Sequence, residues 1–268
     1  MDWKMKKISP AGLSVALITL NEERNIGRCL DSLKFSRKFF KTVEVIVVDA
    51  YSRDRTASLA RKKGAKVFRR AWRGYADQKN WALAQCRGDW ILSLDADEEL
   101  TPALVAEMEE KIAATPPEVD GYFLKRRAFF LGKWIRHCGW WPDSQLRLIK
   151  RGSGQFTNQP VHEGLEVRGK TVELNEPMNH YTYDSIRQYI EKMNRYSDLA
   201  ILNIAQKKKV FWIYYLTAAP FFTFIRMFIS RRGFLDGWHG FVVCGLSAFH
   251  DFVKYAKLWE KEVLKRHE

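Results

Sequence analysis

The chain has 268 residues, of which 46% are hydrophobic and 28% charged, so it can bury a core and is not intrinsically disordered. This length accommodates one large α/β domain with an appendage and excludes three ordinary domains. The formal net charge of +14 favours a polyanionic partner, namely nucleic acid, an anionic membrane surface or a phosphorylated substrate.

The first half of the chain alternates between apolar runs and amphipathic segments. The apolar runs are hydrophobic along their whole length, which is typical of strands covered on both faces. Such strands with helices between them predict an α/β fold in which a mostly parallel sheet carries helices on both faces. Strands are predicted at 13–20, 43–50, 65–70 and 89–97, and helices at 23–35, 52–64, 75–86 and 101–115.

The second half changes its pattern at Asp184. Before that residue, 121–132 and 144–150 are predicted as strands, and 152–169 as a loop followed by a strand. After it, apolar residues recur at helical spacing. We therefore predict a catalytic domain at 1–183 and a helical extension at 184–268.

The extension contains an apolar stretch at 210–230 that is long enough to span a bilayer, but Pro220 and Arg226 interrupt it. From residue 207 onward the chain carries 11 Lys and Arg against 5 Asp and Glu, a surplus of +6. Three arrangements remain open: helices lying in an anionic membrane interface, a buried helical subdomain, and a single span. The basic and aromatic composition favours the first, a membrane-associating extension.

Four acids cluster where the strand predicted at 89–97 ends. In an extended segment Asp95 and Asp97 point the same way, with Cα atoms about 7 Å apart. Two carboxylates on one side of a strand end favour a bound cation, and hard oxygen ligands suit Mg²⁺ or Mn²⁺, which also bridge a diphosphate. We assign Glu98 and Glu99 to the turn and the approach to the next helix, where negative charge is favoured.

Polar side chains also follow the first two long strands. Asn21 and Glu22 follow the first, and Asp49, Ser52 and Asp54 follow the second. Helix capping accounts for Ser52 and Asn21 but not for Asp49, which stands several residues before the helix. A carboxylate there can accept the ring N–H of a pyrimidine base. The first strand is followed neither by G-x-G-x-x-G nor by G-x-x-x-x-G-K-[ST], which disfavours a Rossmann dehydrogenase and a P-loop kinase.

Three segments stand in the order and spacing of a known family: ALITLNEERNIGRCLDSL, VEVIVVDAYSRDRT and ADQKNWALAQCRGDWILSLDADEEL. They resemble the motifs of family 2 glycosyltransferases of the GT-A fold, over residues 13–165. The continuation WWPDSQLRLIKRGSGQFTNQPVHEGLEV and the tail RRGFLDGWHGF are most similar to bacterial lipopolysaccharide core β-glucosyltransferases. The resemblance implies a GT-A Rossmann-like sheet and an inverting sugar transfer from a nucleotide diphosphate donor, usually UDP-linked.

The resemblance also implies roles for individual residues. Asp97 would be the principal metal ligand, while Asp95 would approach both the ribose and the metal. Asp49 would meet the uracil, and Lys79 would face the diphosphate. The donor nucleotide site as a whole is predicted to comprise Thr19, Asn21, Glu22, Asp49, Ser52, Lys79 and Asp95.

Inversion at the anomeric carbon requires a base that takes the proton of the acceptor hydroxyl. Glu163 falls at the family's usual location for this base, with Asp143 as the alternative. His162 is predicted to act beside it, by binding the metal, by contacting the diphosphate or by orienting the base. A plain surface loop is the other interpretation of the His162–Glu163 pair.

The acceptor is predicted to meet aromatic and basic side chains. Trp140 and Trp141 can stack on an acceptor sugar, although packing in the core is the other interpretation. Arg147 and the pair Arg126 and Arg127 can meet acceptor phosphates. As an alternative, they are alternate residues of an exposed strand.

We therefore predict a metal-dependent inverting hexosyltransferase. It would move a sugar, by family resemblance glucose, from a UDP-sugar to a lipid-linked saccharide such as the lipopolysaccharide inner core, with Mg²⁺ or Mn²⁺ as cofactor. The phosphorylated inner core would also explain the positive charge. The predicted location is the cytoplasmic face of the bacterial inner membrane, as a peripheral or monotopic protein. The four scattered cysteines fit a reducing compartment, and the basic N-terminus lacks the apolar run of a secretory signal.

Two alternatives accompany this prediction. The first keeps the fold and replaces the acceptor by polyprenyl phosphate. The second is a non-enzymatic protein that binds a polyanion or a membrane, suggested by the charge alone. Acids at three strand ends argue against the second, since without a metal they would repel phosphates. For the same reason we expect no nucleic-acid partner.

Overall fold

The computed structural model describes residues 11–157, 164–204 and 212–265. The strands within these ranges are β1 Ala11–Thr19, β2 Phe40–Asp49, β3 Lys66–Arg69, β4 Trp90–Asp95, β5 Glu98–Glu99, β6 Val119–Phe130, β7 Lys133–Trp134, β8 Ser144–Lys150, β9 Gly154–Phe156, β10 Leu165–Val167 and β11 Lys170–Tyr183. The α-helices are α1 Ile26–Asp31, α2 Thr56–Lys62, α3 Tyr75–Gln85, α4 Pro102–Ala113, α5 Ile186–Ile204, α6 Ala219–Ile225 and α7 Gly237–Lys265.

The described chain divides into two compact units. The first, which we call the sheet unit, contains residues 11–126, 144–157 and 164–180. The second, the helical unit, contains residues 127–143, 181–204 and 212–265. The segment 127–143 therefore packs with the C-terminal helices, which the sequence pattern did not indicate, and the predicted boundary after residue 183 stays a prediction.

The main sheet has the strand order β3-β2-β1-β4-β8-β6-β11-β5, with β7 beside β6. In this order, β3, β2, β1 and β4 are parallel to one another. β8 is antiparallel to both β4 and β6, and β5 is antiparallel to β11. Parallel pairing requires the long crossovers that α1, α2 and α3 supply, whereas the later strands can pair antiparallel.

Two hydrophobic clusters lie on opposite faces of the parallel strands. In β1, Val15 and Leu17 join a cluster that includes residues of α1, α2 and α4. Ala16, between them in the sequence, joins a second cluster that includes residues of α3. Because successive side chains of a strand point to opposite faces, a strand that is apolar throughout is covered on both sides. The structure confirms the predicted α/β fold with helices on both faces.

The longest difference from the predicted elements is β11. No strand was predicted at 170–183, a segment that contains Pro177. In the structure β11 runs through this proline, and beyond it Asn179 and His180 pair with Glu99 and Glu98. Two glutamates assigned to a turn thus form a short strand.

The helical unit has its own core, formed by eight buried residues: Phe130, Ile135, Cys138, Tyr189, Met193, Met227, Val243 and Cys244. The segment before α7 continues α6 through π-helical turns at Tyr214–Ala218 and Arg226–Ser230 and a 3₁₀ turn at Gly233–Asp236. Among the described residues, none of the helices combines the length and the hydropathy needed to cross a membrane.

Candidate active site

Three parallel strands end side by side at one edge of the sheet. β1 lies between β2 and β4, with Thr19 opposite Asp49 and Ile18 opposite Asp95. The carboxyl ends of parallel strands open onto one crevice, so the side chains that follow these strands surround a common space. The fold brings together the three strand ends that the sequence singled out.

The loops after β1 and β2 are joined by hydrogen bonds around Asp49. This carboxylate is fully buried and accepts from the Thr19 hydroxyl at 3.2 Å, the Ser52 hydroxyl at 2.5 Å and the Ser52 N–H at 3.0 Å. Asn21, in the loop after β1, is bonded twice to the loop after β2. Its N–H donates to Ser52 Oγ at 2.8 Å, and its Oδ1 accepts from the Arg53 N–H at 2.9 Å. The predicted nucleoside residues therefore form a single hydrogen-bonded platform, and their contact with a base stays a prediction.

The platform continues into the starts of the next two helices. The Glu22 N–H donates to Thr56 Oγ1 at 2.7 Å, and the Glu22 carbonyl accepts from the Ile26 N–H where α1 begins. Asp54 accepts from the N–H groups of Thr56 and Glu23. Burial raises the pKa of Asp54, but the hydrogen bond from the Thr56 hydroxyl, together with those from the two N–H groups, outweighs it and holds the pKa below its ordinary value. Asp54 is thus an ionised acceptor that fixes the loop.

Two non-glycine residues of the platform have left-handed backbone conformations. Asn21 has φ 56° and Tyr51 has φ 61°. Asparagine tolerates this region, whereas a bulky side chain there costs roughly 1–2 kcal/mol. The Tyr51 side chain is nevertheless 56% exposed beside the buried Asp49. An exposed ring held at this cost is a further candidate for contact with a bound ligand, which the sequence pattern did not reveal.

Asp95, at the end of β4, lies between two cations. Its Oδ1 is 3.0 Å from the Lys79 ammonium, and its Oδ2 is 2.6 Å from the Arg147 guanidinium. Burial raises the pKa of Asp95, but Arg147 and Lys79 outweigh it and hold the pKa well below its usual value. Both carboxylate oxygens of Asp95 are thus engaged by cations, and its predicted role in binding a metal stays a prediction.

The same ion pairs define the positions of Lys79 and Arg147. Lys79 extends from α3 and is nearly buried, with its ammonium also over the Phe156 ring. Arg147 extends from β8 and is 5% exposed. Its guanidinium is committed to Asp95 and Glu98, so its predicted contact with the acceptor stays a prediction that this geometry does not favour.

Glu98 is a buried member of this charge cluster and not part of a solvated turn. It is 1% exposed, and its Oε1 lies 2.5 Å from Arg147 and 3.3 Å from Arg126. Its Oε2 accepts the Asp95 N–H at 2.9 Å. Glu98 lies in the connection between β4 and α4, where it was assigned, but two arginines from distant strands compensate its charge and make it part of the buried cluster.

Asp97 meets a histidine from β11. Asp97 Oδ2 and His180 Nε2 are 3.4 Å apart, and both side chains keep a small exposed fraction. An oxygen and a nitrogen donor thus converge next to the three strand ends. Within the described ranges, no group of three or more His, Cys, Asp and Glu side chains is arranged to hold a metal. His180 was not predicted as a site residue, and it belongs to β11, which was not predicted as a strand.

The predicted acceptor residues of the helical unit make aromatic contacts there. Trp140 packs edge-on against Phe130 with ring centroids 6.3 Å apart, and Trp141 packs edge-on against Trp134 at 5.4 Å. Arg127, predicted as a phosphate contact, stacks on Trp134 at 4.9 Å. Asp143 is partly buried in the same unit. Packing explains these rings, and their role toward an acceptor stays a prediction.

The predicted base lies outside the described residues. Glu163 and His162 both fall within 158–163, between the described Thr157 and Gly164. Their assignment as base and partner therefore rests on the sequence.

The sequence profile described as "Glycosyl transferase family 2" matches residues 14–162, which contain the strand-end platform, the Asp95 cluster and Asp97. The chain belongs to glycosyl transferase family 2. This family 2 enzyme is 31% identical to the lipopolysaccharide core biosynthesis glycosyltransferase LpsC of Rhizobium meliloti, with 94% of each chain covered. It is 33% identical to an uncharacterised glycosyltransferase of Rickettsia typhi, over 98% of this chain and 90% of that one.

A solved structure supports the fold. The mannosyltransferase PcManGT from Pyrobaculum calidifontis, determined in complex with GDP-Man and Mn²⁺, superposes with a TM-score of 0.52 at 16% identity. The match covers 96% of this family 2 glycosyltransferase and 81% of PcManGT. The predicted GT-A fold is confirmed.

Proposed function

We propose that this glycosyltransferase moves a sugar from a UDP-sugar to a lipid-linked saccharide with inversion of configuration, in lipopolysaccharide core assembly. The observation that carries the proposal is the convergence of Asp97 and His180 beside the platform that holds Asp49. The similarity to LpsC over nearly the whole chain supports the acceptor class.

The donor nucleotide is assigned to the platform after β1 and β2. Asp49 accepts hydrogen bonds through both oxygens, which fixes its carboxylate in place for a base N–H. Asn21 and Ser52 fix the loop around it. The exposed Tyr51 ring offers a flat apolar surface on the same loop.

The metal is assigned to Asp97 and His180. PcManGT, which shares the fold, was solved with Mn²⁺. A nitrogen ligand favours Mn²⁺ over Mg²⁺, because Mg²⁺ holds to oxygen ligands. When bound, the metal supplies positive charge that stabilises the departing diphosphate. Two residues before Asp97, Asp95 holds Lys79 and Arg147 in ion pairs.

The base is assigned to Glu163, with His162 as its partner and Asp143 as the alternative. Its task is to take the proton of the acceptor hydroxyl on the face opposite the leaving diphosphate. An α-linked donor would then give a β-linked product. Glucose is the sugar that the family resemblance suggests.

The location proposed for this reaction is the cytoplasmic face of the inner membrane, where a lipid-linked acceptor is anchored. The net charge of +14 suits a phosphorylated acceptor on an anionic surface. Transfer to polyprenyl phosphate remains the alternative, and both acceptors belong in the assay.

A thermal-shift panel tests the donor and the metal together. We expect a UDP-sugar with Mn²⁺ to raise the melting temperature, since a ligand at about 100 times its Kd stabilises the native state by ~2.7 kcal/mol. GDP- and TDP-sugars should shift it less. Asp97→Asn and His180→Ala should each abolish the part of the shift that needs Mn²⁺.

The matched control is Asp31→Asn, which removes an exposed carboxylate that pairs with Lys63 on the helix surface. It should respond to donor and metal as the wild type does. The proposal fails if Asp97→Asn transfers sugar at the wild-type rate in a metal-supplemented assay. The non-enzymatic alternative gains support if DNA shifts the melting temperature and no nucleotide sugar does.

A further inference from the structure

The exposed side of α7 is aromatic. Taking 100° per residue, five aromatic side chains fall within about 80° of arc on this helix. All five are exposed, and Trp238 is 81% exposed. We call this set the aromatic face: Trp238, Phe241, Phe249, Phe252 and Trp259.

The aromatic face is not needed to build the core of the helical unit. The opposite side of α7 already supplies that core through Val243 and Cys244, and Leu258 is buried on the same side. A helix at the surface of a water-soluble unit normally presents polar residues to solvent. Here the solvent side is more aromatic than the buried side, and an exposed apolar patch of this kind marks an interaction surface.

The helical segment before α7 enlarges the aromatic face. Phe224 and Phe228 both contact Phe241, with ring centroids 5.6 and 5.9 Å apart. On the same segment Phe221, Ile225 and Ile229 follow one another at intervals of four residues, and all three are exposed. The apolar surface therefore continues from α7 onto residues 221–229.

The net charge of this part of the chain is positive. From residue 219 to the end of α7 it carries seven Lys and Arg against four Asp and Glu, and between 219 and 241 the charged residues are Arg226, Arg231, Arg232 and Asp236. The three arginines are exposed, whereas Asp236 is 3% exposed and accepts the N–H groups of Arg136 and His137. A second copy of the chain would bring like charges together at this surface, while an anionic partner would be attracted.

We propose that the aromatic face docks in the interface of an anionic membrane, with Arg226 and Arg232 at the lipid headgroups. Aromatic rings with a cationic border match the chemistry of that boundary, where the rings meet acyl chains and the guanidinium groups meet phosphate. This inference rests on the proposed function in one respect, because a lipid-linked acceptor gives the enzyme a reason to be there.

Flotation with vesicles tests the surface directly. Wild-type protein should bind vesicles that contain phosphatidylglycerol more tightly than vesicles of phosphatidylcholine alone. Trp238→Ala with Phe249→Ala should lower the partition coefficient about tenfold or more, since each exposed ring loses its burial in lipid. Arg226→Gln with Arg232→Gln should lower it about fivefold per arginine, and only on anionic vesicles.

The matched control is Trp72→Ala with Tyr75→Ala, an exposed aromatic pair of the sheet unit with ring centroids 4.6 Å apart. Its vesicle binding should equal that of the wild type. This result would show that the loss of exposed rings elsewhere on the surface does not weaken vesicle binding. Circular dichroism checks that each variant is folded, and all substituted residues are exposed, so the folds should survive.

Two results would overturn the inference. One is vesicle binding by the Trp238/Phe249 variant at the wild-type level. The other is a lipid-free oligomer, measured by sedimentation, that this variant dissociates, because the face would then join copies of the chain. Sugar transfer by the wild-type protein to a delipidated acceptor separates the membrane proposal from the proposed function. If the wild type transfers sugar but does not bind vesicles, only the membrane proposal is rejected. Vesicle binding without any nucleotide-sugar shift rejects only the proposed function.

Discussion

At the scale of single residues, three neighbours in the motif LDADEE take different positions. Asp95 is held between Lys79 and Arg147, and Asp97 meets His180. Glu98 turns inward to Arg147 and Arg126. One run of acids thus divides between a buried charge cluster and a candidate metal site, and the side chains that decide it come from α3, β6, β8 and β11.

The buried position of Glu98 leads to a stability prediction. Glu98→Gln should lower the free energy of unfolding by about 3 kcal/mol, because it leaves the buried Arg147 and the partly buried Arg126 with one carboxylate fewer. Glu99→Gln should cost less than about 0.5 kcal/mol, since Glu99 is partly exposed and a glutamine can still accept from Asn179. Urea unfolding at neutral pH measures both. Equal costs for the two variants would show that the cluster does not stabilise the fold.

The low pKa of Asp95 predicts how stability depends on pH. A group whose folded-state pKa is depressed stabilises the protein above its unfolded pKa, about 3.9 for aspartate, and loses this contribution as the pH falls through the folded pKa. The wild type should therefore exceed Asp95→Asn in unfolding free energy by a constant amount from pH 5 to 8. The difference should shrink below about pH 4. Urea titrations across this range would contradict the assignment if the difference stayed constant.

At the scale of elements, the short connection from β4 to α4 links the start of α4 to β11, the strand that carries His180. Thr101 caps α4, since its Oγ1 accepts the Leu104 N–H at 3.2 Å, and it donates to the Pro177 carbonyl of β11 at 2.9 Å. One hydroxyl thus fixes both the helix start and the strand that carries His180. The sequence predicted a helix from residue 101, and it did not indicate the bond to β11.

Loss of this hydroxyl should weaken the element and the site together. Thr101→Ala should cost about 1 kcal/mol of unfolding free energy, the usual cost of a lost N-cap. It should also reduce the Mn²⁺-dependent thermal shift, because β11 loses an anchor near His180. Thr101→Ser keeps the hydroxyl and should behave as the wild type within about 0.5 kcal/mol. An alanine variant with an unchanged Mn²⁺ shift would limit the role of Thr101 to capping.

At the scale of the whole molecule, the acids of the candidate site and the basic residues of the aromatic helices belong to different units. Acids concentrate after the parallel strands of the sheet unit, where cations and a metal can neutralise them. The helical unit carries the aromatic face, and between residues 219 and 265 it has seven Lys and Arg against four Asp and Glu. A net charge of +14 is therefore compatible with both an anionic donor and an anionic surface.

The sequence by itself determined the α/β fold, the parallel strands and the three polar strand ends. These features depend on local pattern: an apolar run predicts a strand covered on both faces, and a cap with a proline predicts where a helix begins. The motifs in order also indicated the family, which the profile over residues 14–162 confirmed.

The tertiary structure alone decided which charges meet. Arg126, Arg147 and His180 reach the acidic motif from strands that lie far away in the sequence, and antiparallel pairing brings them there. Local pattern carries no information about such partners, so Glu98 was placed in a turn and His180 was missed. Exposure of the rings on α7 is likewise a tertiary property, because an aromatic stripe at helical spacing looks the same whether it faces a core or a membrane.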